Sequence, residues 1–275
     1  SLSARAPAPS ALAASPRSWA NSPHDLDASY PCPLGRGFCR ARVRLCSVKD
    51  PTRIPHVIDA LRRAWEGQPD LSLPALMGVL ANRGIGWAST DEELITALAQ
   101  LEKQHPSLID APTNAHLSIT TTDPAHLVTL AGDTVIVRSA QQAQRMPGVW
   151  GFGGMRRTGP GLPLVITDTA GVEHRLGVVG IASTFDPAQA PALNGLQRVQ
   201  VGNCRWLVVL AGNRRCIVGQ RIRLWDQALR TVESSTVAFD AIVSCTPGGR
   251  LVVKRASGAG DVDLGEVAAT YVLEV

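Results

Sequence analysis

From His116 onward the chain is a succession of short β-branched and apolar runs, each cut off by Gly, Pro, Asn or Asp, with no helical stretch between them. No other feature narrows the fold so far, because parallel strands need a crossover of a dozen or more residues and these runs leave no room for one. The runs expected as strands are "HLSITT", "TVIVRS", "PLVITD", "HRLGVVGIAS", "RVQVG", "RWLVVLAG", "QRIRLWD", "STVAFDAIVS", "RLVVKRA" and "ATYVLEV", with turns at Thr169-Ala170-Gly171 and Pro247-Gly248-Gly249. They predict an antiparallel barrel or sandwich over 113–275. "TLAGDTVIVRS" and "VLAGNRRCIVGQR" faintly echo one another, a match that two related β halves would give and that chance also gives often.

Upstream the apolar period changes from two to about 3.6. In "RIPHVIDALRRAWEG" Ile54, Val57, Ile58, Leu61, Ala64 and Trp65 share one helical face, and Gly67 with Pro69-Asp70 stops the helix. A second helix starts at the cap Ser72, tolerates Pro74 in its first turn, and is expected to bury Leu73, Leu76, Met77 and Leu80 before Gly84 ends it. The third opens with Thr90-Asp91-Glu92-Glu93, a reciprocal capping box, carries Leu94, Leu98 and Leu101 inward, and ends before Pro106. Residues 1–35, rich in Ala, Pro and Ser, read as an extended arm or linker without a secretory signal, and the missing initiator Met points to a trimmed or processed chain. The fold class is therefore α+β: an arm over 1–35, a basic strand and three-helix module over 36–112, and the β-rich domain.

With 275 residues, 45% of them hydrophobic, the chain can bury a sizeable core, and no run approaches the ~20 apolar residues a membrane helix needs. Of the six cysteines, Cys32, Cys39 and Cys46 recur every seven residues, but Cys39 and Cys46 would stand roughly 20 Å apart on an extended strand, too far for a zinc knuckle. Reduced thiols and a cytoplasmic location are the expectation. The formal charge is +4, carried almost wholly by arginine, since lysine occurs only at Lys49, Lys103 and Lys254. That excess permits a polyanionic partner without demanding one.

The arginines are patterned. In "RARVRLCSV" Arg40, Arg42 and Arg44 share one strand face opposite Cys39, Ala41, Val43 and Leu45. In "QRIRLWD" Arg221 and Arg223 oppose Ile222 and Leu224, shortly after Arg214 and Arg215. Brought together, such strands would form a basic stripe for phosphates or acidic side chains; kept apart, they would only keep sheet edges from aggregating. Low aromatic content, 4%, argues against a base-stacking platform. "RMPGVWGFGGMRRTGPG", residues 145–161, reads as a loop without regular hydrogen bonding, in which Trp150, Arg156 and Arg157 are the candidate contacts. It lacks the context of a phosphate-binding loop. Trp87, on the glycine-flanked loop "NRGIGWAST", reads first as a packed lid over the helices and second as a binding anchor.

Signatures of catalysis are sparse. The six histidines are scattered singly, and no serine sits in a nucleophile elbow. Asp261, Asp263 and Glu266 cluster in "GAGDVDLGE", read as a hairpin turn rather than a calcium loop, and Glu173 and His174 are strand neighbours pointing to opposite faces. The leading expectation is a non-catalytic binding or adaptor subunit of a larger assembly, with no cofactor and no metal. Its helical module would dock a protein partner, and its arginine strands would meet a polyanion such as nucleic acid, or an acidic partner. The alternative is an enzyme acting on a phosphorylated or nucleic-acid substrate through the β-domain loops. A winged-helix-like DNA-binding regulator comes third, disfavoured by the acidic first turn of the third helix.

Overall fold

The computed structural model describes residues 50–110, 116–227, 231–256, 258 and 260–275. The arm, the strand over 40–48 with Arg40, Arg42 and Arg44, and the Cys32, Cys39, Cys46 series lie outside the described residues. Asp50–Val275 is one compact unit, built as three helices, a closed barrel and a curled sheet.

Helices α1 (Arg53–Glu66), α2 (Leu73–Asn82) and α3 (Asp91–Gln104) form the N-terminal module. Ser72 caps α2 by accepting from the Ala75 amide. At α3 the reciprocal box is complete: the Thr90 hydroxyl accepts from the Glu93 amide at 3.3 Å, and the Glu93 carboxylate accepts from the Thr90 amide at 2.8 Å. The small core joins Ala60 and Ala64 of α1 to Leu76, Leu80, Ala97, Leu98 and Leu101. Burial of the whole α1 apolar face does not occur. The two alanines make the close approach, so the bulkier Ile54 and Ile58 are displaced to the flank, 50% and 55% exposed. Met77 is likewise exposed.

The module is fastened to the barrel. The Thr184 hydroxyl donates to the Lys103 carbonyl at 2.8 Å, His105 Nδ1 meets Ser183 Oγ at 3.0 Å, and Ile109 bridges to Thr158.

Strands β1 (His116–Thr122), β2 (His126–Ala131), β3 (Thr134–Ser139), β4 (Gly148–Met155), β5 (Pro163–Asp168) and β6 (Glu173–Phe185) run as an antiparallel meander, closed by pairing β1 with β6. Leu117, Ile119, Val128, Leu130, Val135, Leu164 and Ile166 fill its interior. The middle of the expected loop over 145–161, Gly148–Met155, is the strand β4. Its glycines allow this rather than prevent it: a Cβ on Gly153 would lie 2.4 Å from the Asp168 carbonyl, so only a bare backbone can bulge against β5 there. At Gly177, where φ is 97°, β6 passes so close to β1 that a Cβ would sit 2.4 Å from the Thr122 carbonyl.

The second body contains β7 (Arg205–Leu210), β8 (Arg214–Val218), β9 (Ile222–Gln227), β10 (Val232–Val237), β11 (Phe239–Ser244), β12 (Arg250–Arg255) and β13 (Asp261–Glu274), in the spatial order β10-β9-β8-β7-β13-β12-β11. The edge strands β10 and β11 are separated by Ala238 alone. A flat sheet of this width would hold its edges roughly 29 Å apart at ~4.8 Å per strand, far beyond the reach of one residue, so the sheet must curl. Trp206, Val208, Cys216, Ile222, Phe239, Leu251 and Val267 line the inside of the curl, and Leu193, Leu196 and Val201 from the β6–β7 connection plug it.

"RVQVG" is not a strand; Arg198–Gln200 forms a 3-10 turn of that plug. Strands β2 and β8 are absent from the expected runs; the first echo segment covers the end of β2 and all of β3, and the second covers the end of β7 and all of β8. Each echo segment is a hairpin turning on a glycine of positive φ, Gly132 at 63° and Gly212 at 73°. Both contribute to the seam between the two bodies, where Ala131 and Ile136 pack with Leu207 and Leu273.

Candidate functional site

Because Ile222 and Leu224 enter the core of the curled sheet, Arg221, Arg223 and Trp225 must face outward on β9. The same alternation turns Arg215 and Ile217 outward on β8, and Arg205 and Leu207 on β7. Register sets Arg215 beside Trp225, Ile217 beside Arg223, and Leu207 beside Ile217. The outer face is thus apolar where it meets the barrel and basic beyond the seam.

The β3–β4 connection of the barrel, residues 140–147, crosses this face and is held there by three donors. Arg223 Nη1 donates to the Ala143 carbonyl at 2.6 Å, Trp225 Nε1 to the Gln144 carbonyl at 2.6 Å, and Arg215 Nη1 to the Pro147 carbonyl. Burial pushes the Arg215 guanidinium below its ordinary value.

Between this strap and the curled sheet lies a cleft of about 860 Å³, lined by Arg138, Arg145, Arg205, Arg221 and Arg223, with Glu274 as the one carboxylate among the described residues of its walls. Five guanidiniums against one carboxylate leave a formal +4. Glu274 stands opposite Arg205 on the neighbouring strand, 3.0 Å from its Nε through Oε2, while Oε1 lies 2.8 Å from Nη2 of Arg138, which reaches across the seam from β3. The Arg138 side chain is only 8% exposed. Its contact with Glu274 is a pairing of charge without hydrogen-bond alignment, so both Nε and Nη2 are buried with no acceptor. Unmet donors on a buried cation are costly, and such a group is stable beside a cavity that an anion can enter. Among the described residues Arg145 and Arg221 make no ion pair.

The structure brings Arg215, Arg221 and Arg223 together, as the alternation implied, but separates Arg214 from them. Arg214 points to the other side of β8, donating to the Leu264 carbonyl at 2.9 Å and lying 3.1 Å from Asp226. Arg156 grips Glu173 with both of its arms, and Arg157 lies 3.6 Å from Asp110. Trp150 is turned toward the barrel interior and stacks on His174, ring centroids 4.5 Å apart, while His174 Nε2 lies 2.9 Å from Asp168. The hydrogen bond from His174 is the foremost cause holding the Asp168 carboxyl below its ordinary value. Trp87 is 108% exposed, so it is no packed lid over the helices.

Arg138, Arg145, Arg205 and Glu274 are the wall residues that the sequence reading omitted. Arg138 had a signal: in "TVIVRS" it alternates in phase with Ile136.

A second cavity, of about 720 Å³, lies where α3 meets the end of β6 and includes His105, the partner of Ser183. Glu102 in its wall is tied to Arg63 at 3.1 Å, and the side-chain partner of the imidazole is Ser183 rather than a carboxylate. Asp263 is committed to Arg250 and to the Gly265 amide, and Asp261 begins β13, so the "GAGDVDLGE" carboxylates belong to a strand. Among the described residues no group of three His, Cys, Asp or Glu side chains is placed to hold a metal, and no helix is long and apolar enough to cross a membrane. No family model, curated protein or solved structure matches the chain.

Proposed function

We propose that this protein is a non-catalytic binding component of a larger assembly, which holds an acidic partner in the arginine-lined cleft and offers its helical module to a protein partner. The observation that carries the reading is the buried Arg138, whose donors lack acceptors in the wall of a cleft of formal charge +4. A site of this kind recognises anions through forked, charge-assisted hydrogen bonds rather than through chemistry on them. What weighs against an enzyme here is the lining itself: among the described residues it contains no histidine, and the one carboxylate there is already paired with two arginines. A DNA reader is disfavoured by α3, whose first turn presents three acids, one of them paired with Arg53 at 2.9 Å.

The test uses the rim, where charge reversal leaves the core untouched. Arg145→Glu with Arg221→Glu should weaken salt-sensitive binding of fluorescent poly-glutamate by about ten-fold or more, read by anisotropy. Unchanged binding would remove the cleft from the reading, and a preference for single-stranded DNA over poly-glutamate would replace the acidic protein partner with nucleic acid.

A further inference from the structure

We infer that the cleft is built for a compact oligophosphate, a ligand carrying at least two linked phosphoryl groups, and not for a carboxylate alone. The inference rests on the cleft being the anion site, and it follows from what Glu274 already does there. An internal carboxylate occupies the space between Arg138 and Arg205, tethered by its own strand. An incoming monocarboxylate brings the same charge and the same two oxygens, and it must compete with a group held at an effective concentration in the millimolar range or above. It gains nothing by displacement.

A phosphoryl group brings about twice the charge and three acceptor oxygens. It can satisfy the Nε and Nη2 donors of Arg138, which Glu274 leaves unmet. A second phosphoryl group then finds Arg145 on the strap and Arg221 on the curled sheet, both exposed in the cleft lining and neither of them committed to an acid among the described residues. Among the described residues the lining contains arginine and no lysine, the choice that suits bidentate contact with phosphate oxygens. The size agrees as well. At about 860 Å³ and bridged by the 140–147 strap, the cleft is in the range of small-ligand sites, not of an open track for a long backbone. Trp225, buried beneath the strap with its Nε1 committed to Gln144, supplies no platform on which bases could stack.

The experiment is calorimetric titration of the full chain, at fixed ionic strength, with inorganic tripolyphosphate, pyrophosphate, orthophosphate and citrate. Tripolyphosphate and pyrophosphate should bind at least about ten-fold more tightly than citrate, and Arg145→Gln with Arg221→Gln should abolish that advantage. Glu274→Gln, which removes the internal competitor, should tighten oligophosphate binding. It should also lower the melting temperature of the free protein, and pyrophosphate should restore it. Adding a nucleoside triphosphate and a doubly phosphorylated serine peptide separates the sources: affinity equal to tripolyphosphate for either identifies the phosphates as the recognised group in that source. Citrate binding as tightly as pyrophosphate, or a Glu274→Gln variant with weakened oligophosphate binding, overturns the inference. If poly-glutamate binding depends on the rim arginines while oligophosphates show no preference, the acidic-partner reading stands and this one falls. The converse pattern, tight oligophosphate binding without poly-glutamate binding, makes the cleft a small-molecule site and removes the docking role.

Discussion

Leu207→Ala tests whether the two β bodies are mechanically one. Leu207 is wholly buried at the centre of the seam, between Ala131 and Ile136 of the barrel and Leu273 of β13. Removing three carbons costs about 2.4 kcal/mol in transfer at ~0.8 kcal/mol per methylene. The space cannot close, because each wall of the seam is a sheet whose backbone is fixed by its own ladder; the unfilled volume raises the expected total to about 3–4 kcal/mol. Urea denaturation followed by tryptophan fluorescence is the assay, since Trp150 reports on the barrel and Trp206 and Trp225 on the curled sheet. The control is Val178→Ala on the exposed side of β6, expected to cost no more than about 0.5 kcal/mol. A Leu207→Ala penalty below about 1 kcal/mol, or two separated transitions in the parent protein, would refute the idea that burial across the seam fuses the bodies.

Burial, ahead of any other cause, holds the His105 imidazole below its ordinary value of 6.5, so the folded state favours the neutral ring. Its stabilising contribution is complete above pH 6.5 and is lost as the pH falls from there through the folded value; His105→Gln should flatten that part of a urea-midpoint profile measured from pH 8 to 5. Gly177→Ala forces a side chain into a left-handed backbone against the Thr122 carbonyl and should cost more than about 2 kcal/mol by the same denaturation assay. Burial raises both the Cys216 and Cys245 thiols, the latter to about 11, so mass-mapped alkylation at pH 8 should modify the partly exposed Cys204 first and reach the other two only on unfolding.

Much of this fold is legible in the sequence because local chemistry decides it. The Thr90-to-Glu93 box, the Ser72 cap and the alternation of "RLVVKRA" each follow from spacing alone. The misses share a cause, which is that the partner surface is not written in the segment. "GVWGFGGM" reads as coil because glycine is a poor strand former, yet β5 needs those bare backbones beside it. Ile54 and Ile58 sit on the correct helical stripe, but the stripe is wider than the contact that two alanines make. The stripe of Arg221 and Arg223 could be read from period two, whereas Glu274 joins it through the pairing of β13 with the distant β7, and Arg138 only because a separate barrel docks against that face. No periodicity within either strand encodes that docking. Arg214 marks the limit of the reading, since one residue of offset from Arg215 sends it to the opposite side of the sheet.

The single-residue link at Ala238 also governs how this protein can meet others. Sheets usually recruit neighbours by lending an unpaired rim to a new strand, and the curl leaves little rim to lend. Along β11 the Ile242 amide already donates to the Leu196 carbonyl at 2.8 Å, and Gln197 bridges to Ala241, so the plug segment doubles as a doorstop. Along β10, Glu233, Ser234, Ser235 and Thr236 present a polar border. Strand addition along β11 is therefore blocked for as long as the doorstop stays in place, and at β10 a newcomer meets a row of hydroxyls and a carboxylate instead of an apolar edge.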